Sequence, residues 1–112
     1  MVILLVEDEE LLRPRVAEML ESLGHEVEAV GSSEQAMLVL NRRAIDVLIA
    51  DVGLPGMSGD VFAAEARGVQ PSIRVVFATG RTTLAAPHEP GGPVLLRKPF
   101  GLQELEAALR AA

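Results

Sequence analysis

The sequence predicts an α/β fold in which one parallel sheet is covered by helices on both faces. Five apolar runs of strand length alternate with segments of helical character, and the connections between them are short. Such alternation is typical of parallel sheets, whose strands are joined by right-handed crossover helices. The chain of 112 residues is long enough for one core, so a single domain is expected over residues 1–112.

The first strand and the first helix are predicted from two apolar patterns. The run Val2–Val6 has strand length, and Gly24 is expected to end the helix that follows it. Pro14 fits this helix only near its start, where backbone N–H groups have no partner within the helix. The apolar residues at helical spacing are Leu12, Val16, Met19, Leu20 and Leu23.

A short strand over residues 25–30 and a second helix are predicted next. Gln35 stands three residues after Ser32, which is the spacing of a capping box. The helix that begins there is expected to reach about Arg43.

The third strand is predicted over residues 45–50, an apolar run that leads into Asp51. Ligand sites of open α/β sheets lie beyond the carboxyl ends of such strands, so Asp51 is well placed for chemistry. A helix is expected over residues 61–67, closed by Gly68 together with Pro71.

The last part of the chain contains two more strands and one more helix. Residues 73–79 predict a fourth strand, and Val94–Arg97 a short fifth strand. The intervening residues 81–93 are rich in Pro and Gly and leave room for one or two helical turns at most. Leu102, Leu105 and Leu109 mark a final amphipathic helix. These leucines are expected to pack in the core, and a dimer surface is the second interpretation.

Composition argues against several classes of function. Apolar residues make up 49% of the chain, but no apolar run reaches the ~18 residues of a membrane helix, and no basic region of a secretory signal precedes the first strand. The net charge of −6 and the lack of a basic patch argue against nucleic-acid binding. Without cysteine, neither disulfides nor a thiolate metal site can form. We therefore expect a soluble, cytoplasmic protein without membrane insertion or direct nucleic-acid binding.

Four predicted strand ends bring polar side chains to one edge of the sheet. Three carboxylates that converge there repel one another, so they either raise their pKa values or bind a cation. Oxygen ligands with room for water suit Mg²⁺, and Mn²⁺ is expected to substitute for it. The residues are Glu7 and Asp8 after the first strand, Asp51 after the third, Thr79 at the end of the fourth and Lys98 after the fifth.

This set of residues suits the transfer of a phosphoryl group. Asp51 would attack phosphorus as a carboxylate nucleophile, and the product would be an acyl phosphate. Mg²⁺ and Lys98 would neutralise phosphoryl oxygens, while the Thr79 hydroxyl would donate to another.

At these residues the sequence resembles the receiver domain of two-component response regulators, over the whole length of the chain. The resemblance implies a flavodoxin-like sheet with strand order 2-1-3-4-5, here with a shortened or irregular fourth helix. Residues 96–100 also resemble the receivers of hybrid histidine kinases. The motifs are Val6-Glu7-Asp8-Glu9, Asp51-Val52-Gly53-Leu54-Pro55-Gly56-Met57-Ser58-Gly59, Ala78-Thr79-Gly80 and Lys98-Pro99-Phe100.

The resemblance implies a role for each site residue. Asp51 would be phosphorylated by a histidine kinase or a histidine phosphotransfer protein, and slow autodephosphorylation would follow. The domain would switch a partner-binding surface rather than act as an enzyme. A cis Lys98–Pro99 bond is implied as well. The implied magnesium ligands are Asp8, Asp51, Glu7 through water and the Gly53 backbone carbonyl, and the implied phosphoryl contacts are Thr79, Gly80, Lys98 and Gly53.

Two departures from the family pattern affect the expected output. Leu95 stands where the family usually carries an aromatic residue, so the usual coupling between threonine and ring cannot operate in its common form. Residues 81–93 are shorter and richer in Pro and Gly than the helix that usually contributes to the output surface. Gly53 and Arg81 each follow a site residue by two positions and are expected to influence phosphoryl hydrolysis. The sequence leaves the downstream partner unknown and a homodimer as an alternative to a monomer.

Two other functions fit part of the sequence. A phosphatase with an aspartyl nucleophile, such as a haloacid-dehalogenase-like enzyme, needs a second acid two residues after the nucleophile, where this chain has Gly53. A docking module that no longer depends on phosphorylation would work by contacts alone. The leading expectation is a phosphoacceptor signalling module, with these two functions as alternatives.

Overall fold

Strands and helices follow one another along the chain in the computed structural model. The structure describes residues 1–51, 59–79 and 94–112, with the backbone alone for Gly59, Asp60 and Thr79. The elements are β1 (Val2–Val6), α1 (Leu12–Ser22), β2 (Glu26–Val30), α2 (Ser33–Leu40), β3 (Val47–Asp51), α3 (Gly59–Val69), β4 (Arg74–Thr79), β5 (Val94–Arg97) and α4 (Leu102–Ala111).

The five strands form one sheet in the order β2-β1-β3-β4-β5, and every neighbouring pair is parallel. The register places Val6 opposite Ala50, Asp51 opposite Ala78, and Thr79 opposite Arg97. The carboxyl ends of the strands therefore lie side by side along one edge. The predicted α/β class and the predicted strand order are confirmed.

Helices cover both faces of the sheet, as the sequence predicts. Successive side chains of a strand point to opposite faces, so each central strand contributes to two apolar clusters. Leu4 and Leu48 pack on the face covered by α2 and α3, where Phe62 is fully buried. Ile3 and Ile49 pack on the other face, against α1 and α4. The sheet therefore stands between two cores, which fix its position and the edge that carries the polar residues.

The first helix agrees with its prediction at both ends. Pro14 is the third residue of α1, where its missing N–H removes no bond of the helix. Gly24 follows the helix with φ of +92°, a backbone conformation that favours glycine. The prediction for the start of α2 is correct in part. Ser32 Oγ accepts from Gln35 N–H at 3.2 Å, but the Gln35 side chain accepts from Gly31 N–H at 3.0 Å rather than from Ser32.

Several predicted boundaries are wrong by one to three residues. The second helix ends at Leu40 and not near Arg43, because residues 41–43 turn towards β3. The third helix runs over Gly59–Val69 and passes through Gly68, which lies in the last turn, where a residue of low helix propensity costs little. The strands predicted from residues 25, 45 and 73 begin at residues 26, 47 and 74. The expectation for a short fourth helix in residues 81–93 lies outside the described residues.

At the opposite end of the sheet, where the strands begin, the side chain of Gln70 joins two loops. Its Nε2 donates to the carbonyl oxygens of Leu40 at 2.8 Å and of Arg43 at 2.6 Å. Its Oε1 accepts from Ile45 N–H at 2.8 Å. One amide therefore ties the end of α3 to the turn between α2 and β3. In the part of the chain that the structure describes, no helix has the length and apolar character needed to cross a membrane.

Candidate functional site

The predicted site residues lie at the edge formed by the carboxyl ends of the strands. Asp51 is the last residue of β3, and Glu7 and Asp8 directly follow β1, the neighbouring strand. Lys98 directly follows β5. Because parallel strands end at the same edge, residues that are far apart in sequence meet here.

Three carboxylates form a cluster at this edge. One carboxylate oxygen from each of Glu7, Asp8 and Asp51 lies within 4.8 Å of the other two. Glu7 is buried, Asp51 is half-buried and Asp8 is exposed, so the cluster extends from the core to the surface. The side chains are therefore open to a ligand on the Asp8 side and enclosed on the Glu7 side.

The Lys98 ammonium group links two of these carboxylates. Its Nζ lies 2.6 Å from Glu7 Oε1 and 2.9 Å from Asp51 Oδ2, at hydrogen-bonding distance from both. The peptide bond between Lys98 and Pro99 is cis, as the resemblance implies. The cation that the three acids require is thus supplied in part by the protein itself.

The surroundings of Lys98 keep it protonated at neutral pH. Burial disfavours the charged amine and by itself lowers its pKa, but the hydrogen bonds that Lys98 donates to Glu7 and Asp51, together with the negative charges of these carboxylates, have the larger effect. The pKa of Lys98 is therefore raised above its usual value of 10.5. A protonated Lys98 can neutralise an anionic group that reaches Asp51.

Glu7 is held in place by its backbone as well as by its carboxylate. Its N–H donates to the Val30 carbonyl at 3.0 Å, and its Oε2 accepts from Glu9 N–H at 3.2 Å. Its own carbonyl accepts from Arg13 Nη1 at 2.9 Å. Arg13 is not one of the predicted site residues, although a cation in the first turn of a helix is unfavourable for the helix dipole and is therefore a signal of another role.

A groove opens beside the carboxylate cluster, between α1 and the turn after β5. Its volume is about 480 Å³, and one of its walls includes Lys98. Lys98 therefore belongs both to the site and to the wall of a partly apolar groove. The residues that line it are Glu9, Leu12, Arg15, Val16 and Met19 on one side, and Lys98, Pro99 and Phe100 on the other.

The structure brings together four of the predicted site residues, namely Glu7, Asp8, Asp51 and Lys98. Thr79 ends β4 next to β3, and its backbone position agrees with a place at this edge. The predictions for Gly53, Gly80 and Arg81 lie outside the described residues. Leu95, the residue at the aromatic position, lies on β5 and is 37% exposed.

The carboxylate cluster fits a divalent cation by its chemistry and its charge. Carboxylate oxygens are hard ligands of the kind that Mg²⁺ takes, and the exposed Asp8 leaves room for the water molecules that this ion retains. Three carboxylates against one ammonium group leave an excess of two negative charges, which one divalent ion would balance.

Comparisons with known proteins agree with this geometry. The family model described as response regulator receiver domain matches residues 3–110. The two-component response regulator PhoP of Pseudomonas aeruginosa is 37% identical to this chain over 114 residues, which cover 99% of the chain and 51% of that protein. The chain spans about half the length of the first curated relatives that it matches.

Solved structures show the same fold over nearly the whole chain. A CheY-like response regulator receiver domain from Methylobacillus flagellatus has a TM-score of 0.88 at 25% identity, covering 99% of this chain and 97% of that one. The receiver domain of the hybrid histidine kinase CckA has a TM-score of 0.83 at 32% identity, covering 98% of this chain and 96% of that one. With the family match over residues 3–110, these likenesses show that the chain belongs to the family of two-component response regulator receiver domains.

Proposed function

We propose that this receiver domain accepts a phosphoryl group on Asp51 from a histidine kinase or a histidine phosphotransfer protein. The observation that carries the proposal is the position of Asp51 at the end of β3. Its carboxylate contacts Lys98 at 2.9 Å and lies within 4.8 Å of carboxylate oxygens of Glu7 and Asp8. A nucleophile, a cation and a candidate metal site are thus adjacent.

In the proposed reaction, a carboxylate oxygen of Asp51 attacks the phosphorus of a phosphohistidine. The new O–P bond forms as the P–N bond breaks, so that the histidine leaves and Asp51 becomes an acyl phosphate. Lys98, which remains protonated, neutralises a phosphoryl oxygen. The resemblance assigns hydrogen bonds to the phosphoryl group to Thr79 and Gly80.

Glu7, Asp8 and Asp51 would hold a magnesium ion, with the Gly53 carbonyl as a further ligand implied by the resemblance. When bound, Mg²⁺ or Mn²⁺ neutralises charge on the phosphoryl oxygens and helps to orient the group for in-line attack. The buried Glu7 and the half-buried Asp51 keep their side of the site fixed. The exposed Asp8 remains accessible to a metal and its water.

Receiver domains of this family are signalling domains, and we propose that this one acts by a change of surface rather than by turnover of a substrate. Phosphorylation of Asp51 would alter the surface that binds a downstream partner, and slow hydrolysis would restore the starting state. The proposed location is the cytoplasm, with residues 1–112 as a single domain.

The test is phosphorylation by a small donor. Protein incubated with Mg²⁺ and acetyl phosphate is expected to gain the mass of one phosphoryl group, measured on the intact chain. Asp51→Asn should gain none. Asp46→Asn is the matched control, because Asp46 precedes β3 at the other end of the same strand and accepts a hydrogen bond from Val2 N–H at 2.7 Å.

An equal mass gain in Asp51→Asn, or no gain in the wild type, would contradict the proposal. Fast and repeated hydrolysis of a generic phosphomonoester would instead favour a phosphatase. Partner binding that is the same for wild type and Asp51→Asn, with and without acetyl phosphate, would favour the phosphorylation-independent docking module.

A further inference from the structure

We infer that Arg13 is a positioning residue for the two acids that follow β1, and that Gly31 leaves the space in which its guanidinium group lies. This inference rests on the proposed metal site of Glu7, Asp8 and Asp51. Neither Arg13 nor Gly31 belongs to the sequence motifs of the site. The Arg13 side chain donates to a backbone carbonyl and not to a carboxylate of the cluster.

The contact of Arg13 is with the main chain of the acidic pair. Its Nη1 donates to the Glu7 carbonyl oxygen at 2.9 Å, and this carbonyl belongs to the peptide group that joins Glu7 to Asp8. Rotation of this peptide group would move both carboxylates at once. A hydrogen bond from a charged donor is stronger than one from a neutral donor, so Arg13 is well suited to resist this rotation.

A second bond ties Arg13 to the same loop. The Arg13 backbone N–H donates to the Glu9 carbonyl at 3.0 Å. Arg13 therefore holds the loop at two carbonyls, that of Glu7 through its side chain and that of Glu9 through its backbone. The Glu7 N–H is fixed by the Val30 carbonyl at 3.0 Å. The peptide groups on both sides of Glu7 are therefore bonded, one to β2 and the other to α1.

Gly31 is the residue that makes room for this arrangement. A Cβ atom at Gly31 would lie 2.7 Å from Arg13 Nη1, which is shorter than real Cβ contacts. The need for glycine here is space and not a special backbone angle, because Gly24 is the residue with positive φ in the described part of the chain. The Gly31 N–H is bonded to Gln35 Oε1 at 3.0 Å, so the backbone cannot easily retreat.

Arg13 could affect Mg²⁺ binding by its charge or by its position, and these two explanations predict opposite effects of its removal. A cation near the carboxylate cluster repels a metal ion, and a cation in the first turn of α1 opposes the helix dipole. If Arg13 acted by charge alone, its removal would strengthen Mg²⁺ binding. If it positions the Glu7–Asp8 peptide group, its removal weakens Mg²⁺ binding.

The experiment measures the Mg²⁺ dissociation constant by isothermal titration calorimetry in purified wild type and four variants. We expect Arg13→Met and Gly31→Val to weaken Mg²⁺ binding by about tenfold, the lower end of the effect of residues that orient metal ligands. Valine is chosen because its branched side chain is too large for a small shift of Arg13 to accommodate. Arg13→Lys, which keeps one charged donor, should restore part of the affinity. Arg15→Met, which removes an exposed cation two residues further along α1, should not weaken binding.

A double variant and a metal-free measurement complete the test. Arg13→Met combined with Gly31→Val should bind Mg²⁺ about as tightly as either single variant, because the valine then has no guanidinium group to displace. In metal-free protein, the backbone amide resonances of Asp8 and Glu9 should shift in both single variants and stay unchanged in Arg15→Met. Thermal unfolding without metal shows that each variant is folded.

The outcomes separate this inference from the proposed function. If the wild type does not bind Mg²⁺, the proposed metal site fails, and this inference fails with it. If the wild type binds Mg²⁺ but Arg13→Met binds it equally well or more tightly, the inference alone is overturned. Additive losses in the double variant, or unchanged Asp8 and Glu9 resonances in Arg13→Met, would also overturn it.

Discussion

Among single residues, the four charged side chains of the site set its electrostatic balance. Glu7 and Asp51 share the ammonium group of Lys98 at 2.6 and 2.9 Å, whereas Asp8 adds a third negative charge at the exposed side. Without a divalent ion, this crowding opposes folding, because Asp51 lies far from Glu7 and Asp8 in the unfolded chain. The arrangement thus favours cation binding at a cost to stability.

The first prediction concerns Asp8. Asp8→Asn should raise the midpoint of thermal unfolding of the metal-free protein by a few degrees, since it removes one of the crowded charges. The same variant should lose most of the stabilisation that Mg²⁺ gives to the wild type. Thermal unfolding in EDTA and in excess Mg²⁺ measures both effects. Glu18→Gln is the control, because it removes an exposed negative charge from the other side of α1. A similar rise in its midpoint of thermal unfolding would contradict the explanation.

The second prediction concerns the pH dependence that Lys98 confers. Its pKa is raised in the folded protein, so its stabilising contribution is complete below 10.5, the usual value, and is lost as pH rises through the folded value. In EDTA, wild type should be more stable than Lys98→Met at neutral pH. This difference should narrow at pH values well above 10.5. Urea unfolding of both proteins across this range measures it, and a constant difference would contradict the assignment.

For whole elements, the contacts between loops decide where helices end and strands begin. Gln70 contacts three backbone groups of another loop, at Leu40, Arg43 and Ile45, and these contacts hold the residues between α2 and β3. The N–H of Asp46 is bonded to the Val2 carbonyl at 2.9 Å, before β3 begins. The edge away from the functional site is therefore closed by specific hydrogen bonds.

The third prediction concerns Gln70. Gln70→Ala should lower the free energy of unfolding by about 2 to 3 kcal/mol, because it removes three hydrogen bonds and leaves backbone groups without them. Mg²⁺ affinity should stay close to that of the wild type, since the change is at the opposite edge of the sheet. Urea unfolding and calorimetry measure the two quantities. Asn41→Ala removes one exposed bond, to the Met37 carbonyl at 2.8 Å, and should cost under about 1 kcal/mol.

Local sequence signals predicted the existence of the elements better than their ends. Pro14 and Gly24 placed α1 correctly, because both act through the conformation of their own backbone. The predicted end of α2 near Arg43 was wrong because the turn after Leu40 is held by Gln70, 30 residues further along the chain. The prediction that Gly68 ends α3 is wrong because a glycine in the last turn of a packed helix is tolerated. Contacts of this range leave no trace in a local pattern.

For the whole molecule, the two cores on either side of the sheet supply most of the stability. In α4, Leu105 is fully buried and Leu109 is nearly so, but Leu102 is 46% exposed. The predicted assignment of this helix to the core is thus correct for two of its three leucines. The exposed Leu102 is the part of the stripe that a dimer could use, and the dimer stays an expectation.

The fourth prediction compares two of these leucines. Leu105→Ala should lower the free energy of unfolding by about 2 to 5 kcal/mol, because it leaves a cavity between α4 and the sheet. Leu102→Ala, the same change at an exposed position of the same helix, should cost about 0.5 kcal/mol or less. Urea unfolding measures both. Equal losses in the two variants would show that α4 packs in another way.

The sequence also predicted which residues meet at the site, because strand ends of a parallel sheet converge on one edge. Glu7, Asp8, Asp51 and Lys98 were found in this way, and the structure places them together. Arg13 and Gly31 were missed. Their contact depends on the path of a side chain between two loops, which neither apolar periodicity nor the position of a strand end reveals.

Lys98 has a further property, which follows from its contacts and from its being the only lysine of the sequence. An isotope label on the lysine ammonium group would give one nuclear magnetic resonance signal. The labelled Nζ lies 2.6 Å from Glu7 Oε1 and 2.9 Å from Asp51 Oδ2. That signal would respond to a cation that competes for either carboxylate and to a phosphoryl group on Asp51. The domain thus carries a natural spectroscopic probe at its candidate site, and no residue needs to be replaced to use it.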